Sequence, residues 1–165
     1  MELNHNSSNL MEVVEKTEEE VARLYQIYSE TFPKYKDLWS GLVIEQINHI
    51  NTIHGLIHKI KSGSLQCRED KVDCKAIEEL QAKVKQEIIR AKQRKITPIE
   101  SLAIALEIEK TISKREYSEA LDENQEEVRI AFSYLTSNTQ KRINWIEEHL
   151  KKAELTHHCT NMGKN

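Results

Sequence analysis

The chain has 165 residues, of which only four are Gly and two Pro, under 4% together against roughly 12% in average usage. That scarcity excludes a β-sandwich or barrel, which needs a turn signal every ~8–12 residues, and the 31% charged and 38% hydrophobic content is that of long amphipathic helices. Lys and Arg number 24 and Asp and Glu 27, so the net charge of -3 gives no general pull toward nucleic acid or acidic lipid. The first helix is expected from about Ser8 to Thr31, with the apolar stripe Leu10, Val14, Val21, Leu24, Tyr25 and Tyr28. Phe32-Pro33 ends it, because a residue before proline is pushed out of the α region. Asp37 is placed to cap a second helix that runs to about Lys61 and stops at Ser62-Gly63-Ser64. Residues 64–72 read as irregular. Asp73 caps a further helix over 74–94 whose one apolar face, Ile77, Leu80, Val84, Ile88 and Ala91, puts it on the outside of the fold.

Thr97-Pro98-Ile99-Glu100 is the sharpest local signal. Thr at the N-cap, Pro at the first helical position and Glu two residues further on form a capping box. The next helix therefore starts at Pro98, and its pattern continues to about Leu121. Asp122-Glu123-Asn124 reads as a turn, and a last helix follows from Gln125 to Lys152, with Val128, Phe132, Leu135, Ile146 and Leu150 inward. Tight links join the first helix to the second and the penultimate to the last, so each pair is an antiparallel hairpin. About 35 residues carrying a helix of their own join the two hairpins. This is the one-crossover arrangement of a ferritin-like four-helix bundle. The expected fold is all-α, with residues 1–155 one helical domain and 156–165 a disordered polar tail.

The seams of these helices carry polar residues where a core is due. Positions 14, 18, 21, 25, 28 and 32 follow 4-3-4-3-4 spacing, and position 18 is Glu18. The second helix places Leu38, Leu42, Glu45/Gln46, His49, Ile53 and Leu56 inward. The capping-box helix places Ile99, Leu102, Leu106, Glu109, Ile112 and Glu116 inward. Three helices thus hold a carboxylate at mid-length on an apolar stripe. A lone buried carboxylate is costly, so such groups are paired or bind metal. Glu and His on facing helices of a bundle are di-iron ligand types. His54 and His58 read as surface or boundary residues.

These positions resemble the ferritin-like superfamily, in its rubrerythrin-related branch, over roughly residues 10–150. Glu18-x-x-Val21-Ala22-x-Leu24-Tyr25-x-x-Tyr28, followed by Phe32-Pro33, is similar to that family's first metal-Glu helix. Leu38-Trp39-x-x-Leu42-Val43-x-Glu45-Gln46-x-x-His49 resembles its W-x-x-L-A-x-E-E-x-x-H pattern. Ala105-Leu106-Glu107-Ile108-Glu109-Lys110 resembles its third helix, and Phe132-x-x-Leu135 with Ile146 its fourth. The resemblance implies two irons and ferroxidase or peroxide-reducing chemistry, with a Glu from the first and third helices and Glu-x-x-His from the second and fourth. Glu18, Glu45, His49 and Glu109 are the candidate metal ligands. Gln46, Thr139 and Arg142 stand where the pattern has Glu, Glu and His. No rubredoxin-type CxxC pair is present for electron entry.

Three ligands of the pattern hold two irons poorly. Glu18, His49 and Glu109 match instead a single Fe(II), Mn(II) or Zn(II) site. The competing expectation uses the substitution itself: the guanidinium of Arg142, reaching toward Glu18 and Glu109, replaces the lost metal charge with a salt-bridge network. The chain is then a non-ferroxidase bundle with iron, or Mn or Zn, below one per chain. An oxidoreductase of rubrerythrin type and a dimeric scaffold protein are the alternatives.

As a partner, the resemblance implies a second copy docked through the first two helices. Phe32, Tyr35 and Trp39 cluster at the first turn, either as an exposed partner site or as the cap of the core. The basic run Lys83, Lys85, Arg90, Lys92, Arg94 and Lys95 is interleaved with Glu78, Glu79 and Glu87, which reads as a solvated face and not a nucleic-acid site. His157-His158-Cys159 belongs to the polar tail, with adventitious soft-metal binding as its other reading. Glycine-rich phosphate motifs, Gly-x-Ser-x-Gly and HExxH are absent. No apolar run suits a membrane span, and the polar start has no signal-type stretch. With Cys67, Cys74 and Cys159 read as reduced thiols, the expected compartment is the cytoplasm.

Overall fold

The structure, a computed structural model, describes residues 3–114, 120–122 and 124–163. The described residues are all-helical: α1 Leu3–Thr31, α2 Lys36–Lys61, α3 Cys74–Lys92, α4 Pro98–Ser113 and α5 Glu126–Met162. Local chemistry sets most of the ends. Pro33 opens a single 3-10 turn, Pro33–Tyr35, between α1 and α2. Asp37 falls in the first turn of α2 and not at its cap, which is Tyr35. Gly63 ends α2 at a φ of 76°, a left-handed conformation that suits glycine. Asp73 caps α3 by accepting from Ala76 N at 3.0 Å. At α4 both capping-box bonds form: Glu100 N donates to Thr97 Oγ1 at 3.2 Å, and Thr97 N donates to Glu100 Oε2 at 2.7 Å.

α1 lies along α2 and α3, while α5 lies along α4 and α2. α3 presents the expected face, Ile77, Leu80, Val84, Ile88 and Ala91, to this core. Two apolar clusters result. One gathers Val21, Leu24 and Tyr25 of α1, Leu42 of α2, Val84 of α3, Leu102 and Ile108 of α4 and Ile146 of α5. The other gathers Met11, Val14, Ile53, Ile60, Ile77, Val128 and Leu135. Each fully buried side chain of this kind contributes roughly 1.5–3 kcal/mol. Reading α1 through Val14, Glu18 and Val21, α2 through Leu42, Gln46 and Ile53, and α5 through Leu135, Thr139 and Ile146 passes from one cluster to the other. The polar residues between them form one layer across the interior.

Phe32 and Trp39 are buried and Tyr35 is half-buried. The Trp39 ring lies 4.9 Å from Tyr28 and 5.7 Å from Tyr25, so the aromatic cluster closes the end of the core and is not an exposed partner site.

Two expectations fail. α4 ends at Ser113, not near Leu121; Leu121 instead bridges Cys67 of the α2–α3 connection, and Arg68 N donates to Ala120 O at 2.7 Å. This pairing ties the crossover loop to the segment after α4, a non-local contact that local periodicity does not carry. Glu116 lies outside the described residues. α5 runs without a break to Met162, so Thr156–Met162 are helical where a polar tail is expected.

Gly41 and Gly55 lie inside α2, and neither stands at a close approach of another helix. A Cβ at Gly41 would meet Trp145 at an ordinary 3.6 Å, and one at Gly55 would meet nothing within 4 Å. Gly55 is an exposed glycine inside α2, which costs about 1 kcal/mol relative to alanine. Gly55→Ala is therefore expected to stabilise the protein by about 0.5–1 kcal/mol, read as a higher urea midpoint at unchanged slope.

A buried arginine–carboxylate layer as the candidate functional site

Four helices supply the polar layer: Glu18 from α1, Gln46 and His49 from α2, Glu109 from α4, and Asn138, Thr139 and Arg142 from α5. All are buried, and Glu18, Gln46, Glu109 and Arg142 are fully so. Helical spacing places them there. Gln46 and His49 stand three residues apart on α2, and Asn138, Thr139 and Arg142 three and four apart on α5, so each set shares one face.

Arg142 is the hub. Its Nε lies 3.0 Å from each Glu109 oxygen, and its Nη2 lies 2.9 Å from Glu109 Oε2. Nη1 donates to Asn138 Oδ1 and lies 3.3 Å from His49 Nδ1, while Nη2 reaches Thr139 Oγ1 at 3.4 Å. An arginine only donates, so in this contact His49 accepts at Nδ1. Tyr25 donates to Glu109 Oε1 at 2.8 Å. Gln46 Nε2 donates to the Glu18 carboxylate. Glu45 sits at the edge of the layer, where Lys141 Nζ donates to it at 2.7 Å and Asn138 Nδ2 at 2.5 Å.

The electrostatics follow the geometry. Burial pushes the Glu109 carboxyl up, against the pull of Arg142 and Tyr25. Burial opposes the charge on Arg142, but Glu109, Glu18 and Tyr25 hold its guanidinium above the ordinary arginine range. Burial and the Glu109 carboxylate hold the Tyr25 hydroxyl in its neutral, donating form. The Lys141 hydrogen bond holds Glu45 below the usual carboxylate range.

The expected metal ligands thus divide. Glu18, His49 and Glu109 lie in one layer, whereas Glu45 leaves it for Lys141. Gln46, not Glu45, is the residue that faces inward. Both Glu109 oxygens are committed to Arg142 and Tyr25, and His49 Nδ1 faces the guanidinium. Among the described residues no three His, Cys, Asp or Glu side chains are grouped to hold a metal ion. The donor set present fits a guanidinium better than a metal.

Sequence reasoning missed Tyr25, Asn138 and Lys141 as members. Tyr25 read as plain core because its seam position says nothing of its hydroxyl. Asn138 was findable, since it stands one turn before Arg142 on the same face. His54 pairs with Glu15 at 2.6 Å and, like His58, is exposed. Among the α3 cations, Lys83 pairs with Glu107 and Arg90 with Glu87, as on a solvated face.

No family model, curated protein or solved structure matches this chain.

Proposed function

We propose that the chain is a ferritin-like, rubrerythrin-related bundle in which an arginine–carboxylate network stands in place of the metal centre, and that it works as a structural or interaction protein and not as a ferroxidase. One observation carries the reading: the guanidinium of Arg142 lies in the middle of the polar layer, bonded to both oxygens of Glu109. A fixed cation there supplies the charge that a metal would supply, with no open position for oxygen or peroxide. Purified protein incubated with Fe(II) and desalted is expected to hold well under one iron per chain by elemental analysis. A value near two, with the fold intact, restores the di-iron oxidoreductase reading, and a value near one the single-metal reading.

A second observation favours self-association through α1 and α2. Between Asp37 and Lys59 the only Asp, Glu, Lys or Arg is Glu45, in a chain where 31% of residues are of these types. The outward side of α2 carries Ile44 and Ile47, 60% and 48% exposed. Charge depletion around exposed apolar residues is the composition of an interface core. Light scattering is expected to give twice the 19.3 kDa chain mass, and Ile44→Lys with Ile47→Lys to return the monomer. A monomeric wild-type mass at tens of micromolar would remove this reading. Among the described residues, no helix is long and apolar enough to cross a membrane.

A further inference from the structure

We infer that the open cleft where the α1–α2 turn, the start of α4 and the last turns of α5 meet is a binding site for a single-chain amphiphile with an anionic head, of the fatty-acid class. The cleft has a volume of about 840 Å³, within the roughly 300–1,000 Å³ of small-molecule sites. Phe32, Pro33, Tyr35, Ile99 and Ala153 give it an apolar lining.

Four threonines also line it, but their hydroxyls are committed. Thr31 donates to Ile27 O at 2.7 Å, Thr156 to Lys152 O at 2.9 Å and Thr160 to Thr156 O at 2.9 Å. Thr97 accepts from Glu100 N in the capping box. His157 Nε2 faces Asn161 Nδ2 at 3.2 Å, so the polar handles left are Lys34, His158 and Glu154. Lys34 has its ammonium 5.6 Å from the Tyr35 ring and pairs with no carboxylate among the described residues. A carboxylate head finds Lys34 on one wall and the His158 imidazole on the other, whereas a cationic head finds only Glu154.

The α5 wall points the same way. Helices in proteins are held mainly by packing an apolar face. Yet every residue from Glu154 to Met162 is exposed, and Glu154, Thr156, His157, His158 and Thr160 of this run line the cleft. These last turns bury no side chain on the rest of the chain. An alkyl chain held between Phe32, Pro33, Tyr35, Ile99 and Ala153 gives these turns a packing partner at the cleft.

Decanoate titrated calorimetrically into the full chain is expected to bind saturably at one site per chain in the micromolar range. Ala153→Phe and Thr160→Trp, which narrow the cleft from two positions, are expected to weaken it at least tenfold. The Thr160 position is exposed, so that variant keeps the fold. Lys34→Gln is expected to weaken decanoate about tenfold and to leave decanol unchanged. Absence of saturable heat, several decanoates per chain, or affinity untouched by both cleft variants overturns the site. Decylamine binding more tightly than decanoate overturns the anionic head in favour of Glu154.

Discussion

Arg142→Met is expected to cost about 3–5 kcal/mol of folding stability, because it leaves the Glu109 carboxylate buried without its cation. The side chain of Arg142 is fully shielded from solvent and so is that of Glu109. No water can replace the lost donors without opening the core, and among the described residues only the Tyr25 hydroxyl still donates to Glu109. Against a typical total stability of 5–15 kcal/mol this is a large fraction. At about 2–4 °C per kcal/mol for a domain of this size, the melting temperature falls by roughly 10 °C. Arg142→Lys is expected to recover little, since one ammonium cannot meet Glu109, Asn138 and Thr139 in the fork geometry of a guanidinium. The double variant Arg142→Met with Glu109→Leu is expected to recover most of the loss, because replacing both partners of a buried pair by apolar groups is often neutral or better.

Acid provides a further check on the same variant. The Glu109 carboxyl is raised above its reference value of 4.5 by burial. A group raised in the folded state contributes its stability in full below the unfolded value and loses it as pH rises through the folded one. Without Arg142 to oppose burial, the folded value rises further. The deficit of Arg142→Met is therefore expected to shrink as pH falls from 7 toward 5, and Glu109→Gln in the same background to abolish that dependence. Urea midpoints across this range measure both. An Arg142→Met variant within 1 kcal/mol of wild type at pH 7 would mean that the layer is solvated.

What periodicity revealed and what it hid follow from the range of each interaction. Glu18, His49 and Glu109 were legible as buried because the 4-3 spacing of apolar neighbours fixes the inward face of a helix from sequence alone. The start of α4 was legible because the capping box is made by residues within one turn. Adjacent positions on a seam differ by only about 100° of rotation, so spacing left Glu45 and Gln46 both eligible. Packing against Glu18 decided for Gln46, and Lys141 and Asn138 on α5 drew Glu45 to the edge. The end of α4 was hidden because the Cys67–Leu121 bridge joins segments far apart in sequence. The helical run from Thr156 to Met162 was hidden too, since its residues have no apolar stripe that reads as packed.

The largest gain is expected from putting the substituted positions back. Gln46→Glu, Thr139→Glu and Arg142→His together complete the ligand set that the resemblance implies. They add a carboxylate three residues before His49 on α2 and a Glu-x-x-His pair on α5 to the Glu18, His49 and Glu109 already in place. All three substituted positions are buried in the layer, so each new side chain enters it. Without metal the triple variant buries four carboxylates and no guanidinium, a charge that the native core cannot hold. It is therefore expected to be unfolded or molten alone and to fold when Fe(II), Mn(II) or Zn(II) is added, since metal binding free energy then becomes folding free energy. At a metal concentration about 1,000-fold above the dissociation constant the linkage is worth about 4 kcal/mol per site. Circular dichroism with and without metal, followed by elemental analysis of the desalted protein, is expected to give metal-dependent helix content and close to two metals per chain, against well under one for wild type. A variant that folds equally well without metal, or that stays unfolded in its presence, means that the four helices do not share the ferritin-like ligand geometry, and the layer is then an arginine-centred core with no metal site behind it.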